Sequence, residues 1–134
     1  MRSAQDIQQL FEPMLPGLLG IKLTEVSQER VVATMQVRPD LCTSGGILHG
    51  GSIMAFADTL GAVGTSVNLE AGSGTTTVES STKFLASAPV GTTVTAECTP
   101  FHRGRTTMVW QTQIKNDTGK LCAIIIQTQL VIPA

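Results

Sequence analysis

The sequence predicts an α+β fold in which a curved antiparallel sheet wraps around one long central helix. Six strand-like runs occur along the 134 residues, and the short connections between them favour antiparallel pairing. One run of about fifteen residues or more, beginning near Ser52, has helical length and apolar residues on all sides, which is typical of a buried helix. One sheet and one apolar helix have a simple packing solution, in which the sheet curls around the helix.

The N-terminal part of the chain predicts a helix followed by two strands. Residues 4–15 place apolar side chains at helical spacing, and Pro16-Gly17 is expected to stop that helix. Residues 21–24 and 31–38 alternate between apolar and polar side chains, as half-buried strands do. Residues 27–30 are the predicted hairpin between these two strands.

Four further strand-like runs follow the central helix, and each is rich in Val, Ile, Thr or aromatic residues. Their connections all contain glycine and are short enough for hairpins. The predicted strands are residues 75–86, 92–101, 106–115 and 120–132, and the connections are residues 89–91, 102–105 and 116–119.

The size and composition of the chain predict one domain spanning residues 1–134. Charged residues make up only 14% of the chain, compared with about 25% in a typical globular domain, which favours an oligomer. The net charge of −1 and the pI of about 6.1 give no indication of a nucleic acid or a membrane as a partner.

Neither the N-terminal segment nor residues 47–69 has the pattern expected of a targeting or membrane-spanning sequence. The N-terminal segment lacks a long apolar core and carries Asp6 and Glu12, which argues against a signal peptide. Residues 47–69 are the candidate membrane span, but Asp58 at their centre and the absence of basic flanks argue against insertion.

The three cysteines predict a reduced protein. Cys42, Cys98 and Cys122 are odd in number and form no CxxC pair, so a reducing cytoplasm fits better than a disulfide framework. Cys98, His102 and Cys122 lack the spacing of a zinc site. Cys42 and His49 could form a nucleophilic pair, although a small buried cysteine is the commoner case.

Asp58 is the sharpest functional signal. It is the only charged residue between Asp40 and Glu70, and it lies in the middle of the predicted helix. An ionised carboxylate in an apolar setting costs several kcal/mol unless it is paired or reaches water. Such acids cluster at active sites, but an acid satisfied by a buried hydroxyl or a backbone amide gives the same pattern.

The motif His49-Gly50-Gly51-Ser52 lies where the predicted helix begins. The first amides of a helix have no internal acceptor and carry partial positive charge, and glycines allow a ligand to approach them closely. Such a site suits a phosphate or a carbonyl oxygen that develops negative charge. An ordinary glycine-rich helix start with Ser52 near the N-cap is the alternative, and Ser52 lies in no G-x-S-x-G motif.

The spacing between this motif and the acid has a geometric consequence. Gly50 and Asp58 are separated by about 12 Å along one helix, at a rise of ~1.5 Å per residue. A carbonyl bound by the Gly50 amide therefore cannot also lie ~3 Å from the Asp58 carboxylate of the same chain. If the two groups act together, they must come from two chains.

Several segments resemble a known family. HGGSIMAFAD, TKFLASAPVGTTVTAE, HRGRTTMVWQTQI and NDTGKLCA are similar to the hotdog-fold acyl-CoA thioesterases, most of all to the phenylacetate-degradation (PaaI-like) subfamily. The resemblance covers residues 20–132. It implies the hotdog fold, in which a curved antiparallel sheet wraps around one long helix. It also implies hydrolysis of an acyl- or aroyl-CoA to the free acid and CoA, with no metal or redox cofactor.

The resemblance also implies roles for the central motif. Asp58 corresponds to the family's mid-helix acid, which acts as nucleophile or as the base on water. Gly50 corresponds to the glycine whose amide polarises the thioester carbonyl, and His49 helps to shape the same site. In the family this site is built across a dimer, so at least a homodimer is expected, and a homotetramer as the fuller assembly. A hotdog hydratase or dehydratase and a non-catalytic acyl-CoA binder remain as alternatives.

Substrate-binding roles follow in the same way. Gly51 belongs to the same motif, and Thr77 corresponds to a hydroxyl that orients water in some relatives. Thr43 stands where family members often carry Asn or Gln, six residues before His49. The basic turn, which from composition alone could bind a phosphate or be merely solvated, corresponds to a region near the CoA nucleotide in relatives. Its residues are Arg103, Gly104, Arg105 and Thr106.

Overall fold

The computed structural model describes residues 2–134, which form one antiparallel sheet of six strands and three α-helices. A 3-10 turn at Pro39–Leu41 precedes the longest helix. The helices are α1 (Ala4–Phe11), α2 (Leu15–Leu18) and α3 (Gly50–Ser66). The strands are β1 (Lys22–Val26), β2 (Val31–Gln36), β3 (Gly74–Phe84), β4 (Thr93–Arg103), β5 (Thr107–Lys115) and β6 (Leu121–Ile132).

The sheet has the strand order β1-β2-β4-β5-β6-β3, and every neighbouring pair is antiparallel. Helix α3 contacts β2, β3, β4, β5 and β6, so the sheet curves around it. Register shifts in four of the five strand pairs accompany this curvature, since a bulge bends and twists the strand that carries it. The predicted architecture is therefore confirmed.

The connection between β3 and β4 differs from the prediction. Residues 89–91 were expected to form a hairpin, but β3 pairs with β6 at one edge of the sheet while β4 lies between β2 and β5. The chain must therefore cross from the edge strand to an interior strand. The residue pattern and the loop lengths indicate where strands begin and end along the chain. They do not determine which strands pair in the sheet.

Strand β3 contains a bulge that bears on the site. Val78 is an extra residue relative to β6, and it is exposed. Before the bulge Thr75 and Thr77 are the partly buried residues, whereas after it Ser80 and Thr82 are. The inward-facing positions therefore change from odd to even numbers at Val78.

The N-terminal helix is shorter than predicted. It ends at Phe11 because Pro13 has no N–H to donate to the preceding turn. Pro16 and Gly17 do not stop this helix but lie within α2, where proline is tolerated in the first turn. A Cβ at Gly17 would overlap the backbone of Glu12, so only glycine lets α2 pass this close to the end of α1.

Helix α3 begins two residues before the predicted start and is less completely buried than predicted. Its sheet-facing side chains, including Phe56 and Leu60, are fully buried. The opposite side is open, because α1 and α2 cover it only in part and the sheet does not reach it. Met54, Ala55, Asp58, Thr59 and Ala62 form this partly exposed stripe.

Among residues 2–134, none of the helices combines the length and the apolar composition needed to cross a bilayer. The candidate span at residues 47–69 contains α3, whose buried side packs against the sheet. Asp58 lies near the middle of this helix, as the sequence predicts.

Helix α3 packs closely on the sheet at Gly64 and Trp110. A Cβ at Gly64 would lie 2.9–3.1 Å from three atoms of the indole ring, which is itself fully buried. The indole Nε1 donates to Thr65 Oγ1 at 2.8 Å, and the Thr65 hydroxyl donates to the Gly61 carbonyl at 2.9 Å. These contacts leave the ring little freedom to move.

We expect Gly64→Ala to lower the free energy of unfolding by about 1–2 kcal/mol. Overpacking costs about 1–3 kcal/mol, and the helix propensity of alanine returns only about 1 kcal/mol. Gly74→Ala is the matched control, because a Cβ at Gly74 meets nothing within 4 Å. Equal denaturation midpoints for the two variants in urea would contradict the close packing at Trp110.

Candidate active site

Asp58 lies on the open side of α3, in a groove between that helix and the N-terminal helices. The groove has a volume of about 410 Å³, and its walls are mainly apolar. Asp58 is half-buried, so its carboxylate is shielded by apolar groups but still reaches the groove. The wall opposite the acid is formed by Leu10, Phe11, Leu15 and Pro16, and Arg2 also lines the groove.

One oxygen of the Asp58 carboxylate is held by a neighbouring strand. Thr77 Oγ1 donates to Asp58 Oδ1 at 2.7 Å, and Thr77 itself accepts from Gln129 Nε2 at 2.6 Å. Within residues 2–134, Asp58 Oδ2 has no hydrogen-bond partner. The acid is therefore satisfied by a hydroxyl on one oxygen and has a free oxygen in the groove.

The start of α3 is capped by His49 and not by Ser52. His49 Nδ1 accepts from the Gly51 N–H at 2.7 Å, which places the ring hydrogen on Nε2. The Ser52 hydroxyl donates instead to the Leu41 carbonyl at 3.0 Å. In the part of the chain that the structure describes, the Gly50 N–H has no partner, so it can donate to a ligand.

Gly50 and Asp58 lie on one unbroken helix, as the sequence predicts. Their separation of about 12 Å along the axis prevents them from acting on one carbonyl within a single chain. Gly50 also packs against Phe84 at the end of β3, where a Cβ would lie 3.2 Å from two ring atoms. Glycine at this position thus admits both the ring and a ligand at the amide.

Thr43 lies apart from this groove. It is exposed in the turn before α3, where its Oγ1 accepts from the Gly45 N–H at 3.3 Å and its own N–H donates to the Ile47 carbonyl. It does not line the groove that contains Asp58. Within one chain, the structure therefore does not bring Thr43 to the acid.

The basic turn separates its two arginines into different environments. Arg103 ends β4, and its guanidinium donates to the Gln28 carbonyl at 3.1 Å and to Asn68 Oδ1 at 3.4 Å. It also lies 3.7 Å from a Glu29 carboxylate oxygen. Arg105 is exposed and has no hydrogen bond or ion pair to any of residues 2–134. Of the two side chains, Arg105 is the one whose donors are available to a ligand.

Gly104 and Thr106 lie between and after these arginines, beside a second cavity of about 660 Å³. The Gly104 N–H donates to the Thr107 carbonyl at 2.9 Å, which closes the turn into β5. His102 and Arg103 were predicted to lie in the connection, but they belong to β4. The turn is therefore shorter than the predicted residues 102–105.

Cys42 and His49 do not form the nucleophilic pair that the sequence allows. Cys42 Sγ donates to the Arg38 carbonyl at 3.2 Å, and His49 is engaged with Gly51, so the two are not a pair. All three cysteines are free, and burial raises the pKa of Cys98 to about 12. Burial also raises the pKa of Cys122. Neither core thiol is a thiolate at neutral pH, and residues 2–134 hold no group of three or more His, Cys, Asp or Glu that could bind a metal.

Two buried glutamines near the site were not predicted. Gln127 and Gln129 are fully buried on β6, and Gln129 contacts the hydroxyl that holds Asp58. The sequence contains a signal for them. Two amides at alternate positions of the otherwise apolar run LCAIIIQTQLVI must point to the same face of a strand.

The chain belongs to the thioesterase superfamily, which its sequence matches over residues 45–123. The fold is therefore the hotdog fold, as the resemblance implied, and the protein is an enzyme of the thioester hydrolase class. The PaaI-like resemblance is confirmed as well. The PaaI protein of Escherichia coli, from the phenylacetic acid degradation operon, superposes with a TM-score of 0.86 at 25% identity, over 97% of this chain and 93% of that one.

Two other proteins are similar to most of this chain. Thioesterase HI1161 from Haemophilus influenzae superposes with a TM-score of 0.93 at 31% identity, over 98% of this chain and 92% of that one. The 1,4-dihydroxy-2-naphthoyl-CoA hydrolase of E. coli K12 is 30% identical over 111 residues, or 83% of this chain and 81% of that protein.

The different hydrogen bonding of Arg103 and Arg105 predicts that their substitution changes the stability of the protein by different amounts. Arg103→Ala should lower the free energy of unfolding by about 0.5–1.5 kcal/mol, because it removes hydrogen bonds that join β4 to the β1–β2 turn and to the end of α3. Arg105→Ala should change it by less than about 0.5 kcal/mol. Urea denaturation of both variants checks the difference, and a larger loss for Arg105→Ala would contradict the assignment.

Proposed function

We propose that the protein hydrolyses the thioester of an acyl- or aroyl-CoA to the free acid and CoA. In this proposal Asp58 acts as nucleophile or as general base, and the Gly50 N–H donates to the carbonyl oxygen. The observation that carries the proposal is the carboxylate of Asp58, which has one oxygen held by Thr77 and one oxygen free in an apolar groove. Membership of the thioesterase superfamily supplies the reaction class.

The chemistry needs only groups that the chain provides. An Asp58 oxygen attacks the thioester carbon, or it takes a proton from a water that attacks there. The carbon–sulfur bond breaks and CoA leaves as a thiolate. If Asp58 is the nucleophile, water then hydrolyses the resulting anhydride and restores the carboxylate. In either route the negative charge that develops on the carbonyl oxygen is stabilised by the amide at the start of α3.

The groove that contains Asp58 is suited to an apolar acyl group. Its volume of about 410 Å³ lies within the range of small-molecule sites, and its walls are mainly aliphatic and aromatic. The E. coli relative is named for 1,4-dihydroxy-2-naphthoyl-CoA, whose acyl group is aromatic, and an aromatic group suits walls of this kind. We therefore expect aromatic or medium-chain acyl-CoA esters to be better substrates than acetyl-CoA.

The CoA portion is proposed to lie at the basic turn. Arg105 is exposed and unpaired within the described residues, and it stands beside the cavity of about 660 Å³ that Gly104 and Thr106 also line. A guanidinium is well suited to a phosphate of the nucleotide. Arg103 is proposed to position the turn, since its own donors are engaged within the chain.

A complete site requires a second copy of the chain. Strand β3 is an edge strand of 11 residues, and an edge of this length is a template for pairing. Thr77 near its start holds Asp58, and Phe84 at its end packs against Gly50. If two copies pair β3 antiparallel about Ser80, each Asp58 lies beside the partner's Gly50.

We expect Asp58→Asn to reduce hydrolysis of the best acyl-CoA by more than about 10³-fold, because the uncharged amide can neither attack nor accept a proton. Thiol release from a panel of acyl-CoA esters measures the rate. Binding of the same ester, followed by calorimetry, should persist in the variant.

Asp58→Ala and the near-isosteric Asp58→Asn should both remain folded, since removing a partly buried charge is often neutral for stability. Wild-type turnover by a folded Asp58→Asn protein would show that the acid is not the reactive group. A wild-type protein that binds acyl-CoA esters and releases no thiol from any of them would instead be an acyl-CoA binder.

The two-chain site predicts complementation between inactive variants. Asp58→Ala removes the acid, and Gly50→Pro removes the amide donor. In a mixed dimer one site inherits both defects and the other inherits neither. Co-refolded mixtures should therefore regain about a quarter of wild-type activity per total subunit, if chains mix at random.

The experiment needs two checks. Gly50→Pro must be folded by circular dichroism, and exchange of subunits must be verified with differently tagged chains. Purified heterodimers that stay as inactive as both parents would show that each site is built within one chain.

A further inference from the structure

A continuous line of hydrogen bonds runs from the backbone of α3 through the sheet and back to Asp58. Gln127 Nε2 donates to the Ala57 carbonyl at 2.8 Å, and Gln127 Oε1 accepts from Gln129 Nε2 at 2.7 Å. The same Gln129 nitrogen donates to Thr77 Oγ1 at 2.6 Å, and Thr77 donates to Asp58 Oδ1 at 2.7 Å. The line thus begins at the residue immediately before Asp58 and ends at its carboxylate.

The direction of every hydrogen bond in this line is fixed. A carbonyl only accepts, so the NH₂ group of Gln127 must face Ala57 and its oxygen must face Gln129. Gln129 must then present its NH₂ group, whose two hydrogens go to Gln127 and Thr77. Thr77 receives one of them and has a single hydrogen of its own, which must point at Asp58.

The far end of Gln129 is also occupied. Thr75 Oγ1 lies 2.9 Å from Gln129 Oε1 and 3.0 Å from the Leu130 carbonyl oxygen, and its single hydrogen can be donated to either. Rotation of the Gln129 amide by half a turn would place its oxygen against Gln127 Oε1 and leave Thr77 without its donor, so these two contacts fix the orientation. Thr77 and Gln129 are directly opposite each other in the β3–β6 register. Burial of the amide excludes water as a substitute partner.

The sequence makes room for this network at Gly61. A Cβ at that position would overlap the carboxamide of Gln127, so any larger residue would displace the amide from the Ala57 carbonyl. Both glutamines are 0% exposed, and a buried amide costs free energy unless it is fully hydrogen-bonded. A polar network of this kind is expensive for the core, which suggests a purpose other than stability.

We propose that Gln129, oriented by Gln127, is a positioning residue that forces the Thr77 hydroxyl to donate to Asp58 Oδ1. The Asp58 carboxylate is then fixed in rotation, and Oδ2 is presented to the thioester carbon or to the attacking water. Without Gln129 the Thr77 hydroxyl can rotate and accept other donors, and Asp58 loses its fixed orientation. This inference rests on the proposed role of Asp58.

A double-mutant cycle on the rate tests the proposal. Thr77→Val removes the hydroxyl with little change in volume, and Gln129→Leu removes the amide that orients it. Each should lower kcat by about 10²-fold, the loss typical of a misplaced catalytic group, and should change KM by less than about threefold. Because Gln129 acts through Thr77, the double variant should be no slower than the slower single variant.

Rescue and control variants accompany the cycle. Thr77→Ser keeps the hydroxyl and should retain most of the wild-type kcat. Thr112→Val is the matched control, since Thr112 is fully buried on β5 but takes no part in the network, and it should leave kcat within about threefold. Multiplicative losses in the double variant, or a Gln129→Leu enzyme with wild-type kcat, would overturn the proposal.

A spectroscopic measurement keeps the proposal testable if Gln129→Leu does not fold. The Gln129 side-chain amide hydrogens of the wild-type protein should exchange slowly with solvent in nitrogen-15 spectra. In Thr77→Val one of them loses its acceptor, so it should shift upfield and exchange faster, while the Gln127 hydrogen bonded to Ala57 changes little. Unchanged Gln129 resonances in a folded Thr77→Val protein would overturn the proposal.

The same series separates this inference from the proposed function. If Asp58→Asn is inactive but Gln129→Leu and Thr77→Val are not impaired, the positioning role is wrong and the catalytic acid stands. If a folded Asp58→Asn protein turns over normally, both are wrong.

Discussion

The structure depends on how closely α3 approaches the sheet that surrounds it. At Gly61 and Gly64 the helix has no side chain, so Gln127 and Trp110 of the sheet reach its surface. This contact sets the radius of the sheet, because a larger residue on α3 would push the strands outward. It also decides which side of the helix is left open, and Asp58 lies on that open side.

Most of the fold could be predicted from local patterns. Period-two alternation and short glycine-containing connections located all six strands within a few residues, and the length of the apolar run located α3. The strand order could not be predicted in the same way. The crossing from β3 to β4 depends on the closure of the curved sheet, which is a property of the whole chain. The early end of α1 was predictable, since Pro13 interrupts its backbone ladder.

The parts of the site that depend on residue type and on spacing along the chain were predictable. An isolated acid and a helix start rich in glycine identify Asp58 and Gly50 without a structure. The different environments of Arg103 and Arg105 were not predictable, because the partners of Arg103 are 35 and 75 residues away in the chain. The same holds for Gln129, which reaches Thr77 only through strand pairing across 52 residues.

The bulge at Val78 has a consequence for how this family of sequences can change. Because Val78 adds one residue to β3 without adding one to β6, Thr77 before it and Ser80 and Thr82 after it all face inward. Deletion of one residue at Val78 or Glu79 would remove the bulge and keep these three hydroxyls inward. Deletion of Ser81 would instead turn Thr82 outward and Lys83 towards the core, where an unpaired charge is costly. A change of length in this strand is therefore compatible with the fold before Ser80 and not after it.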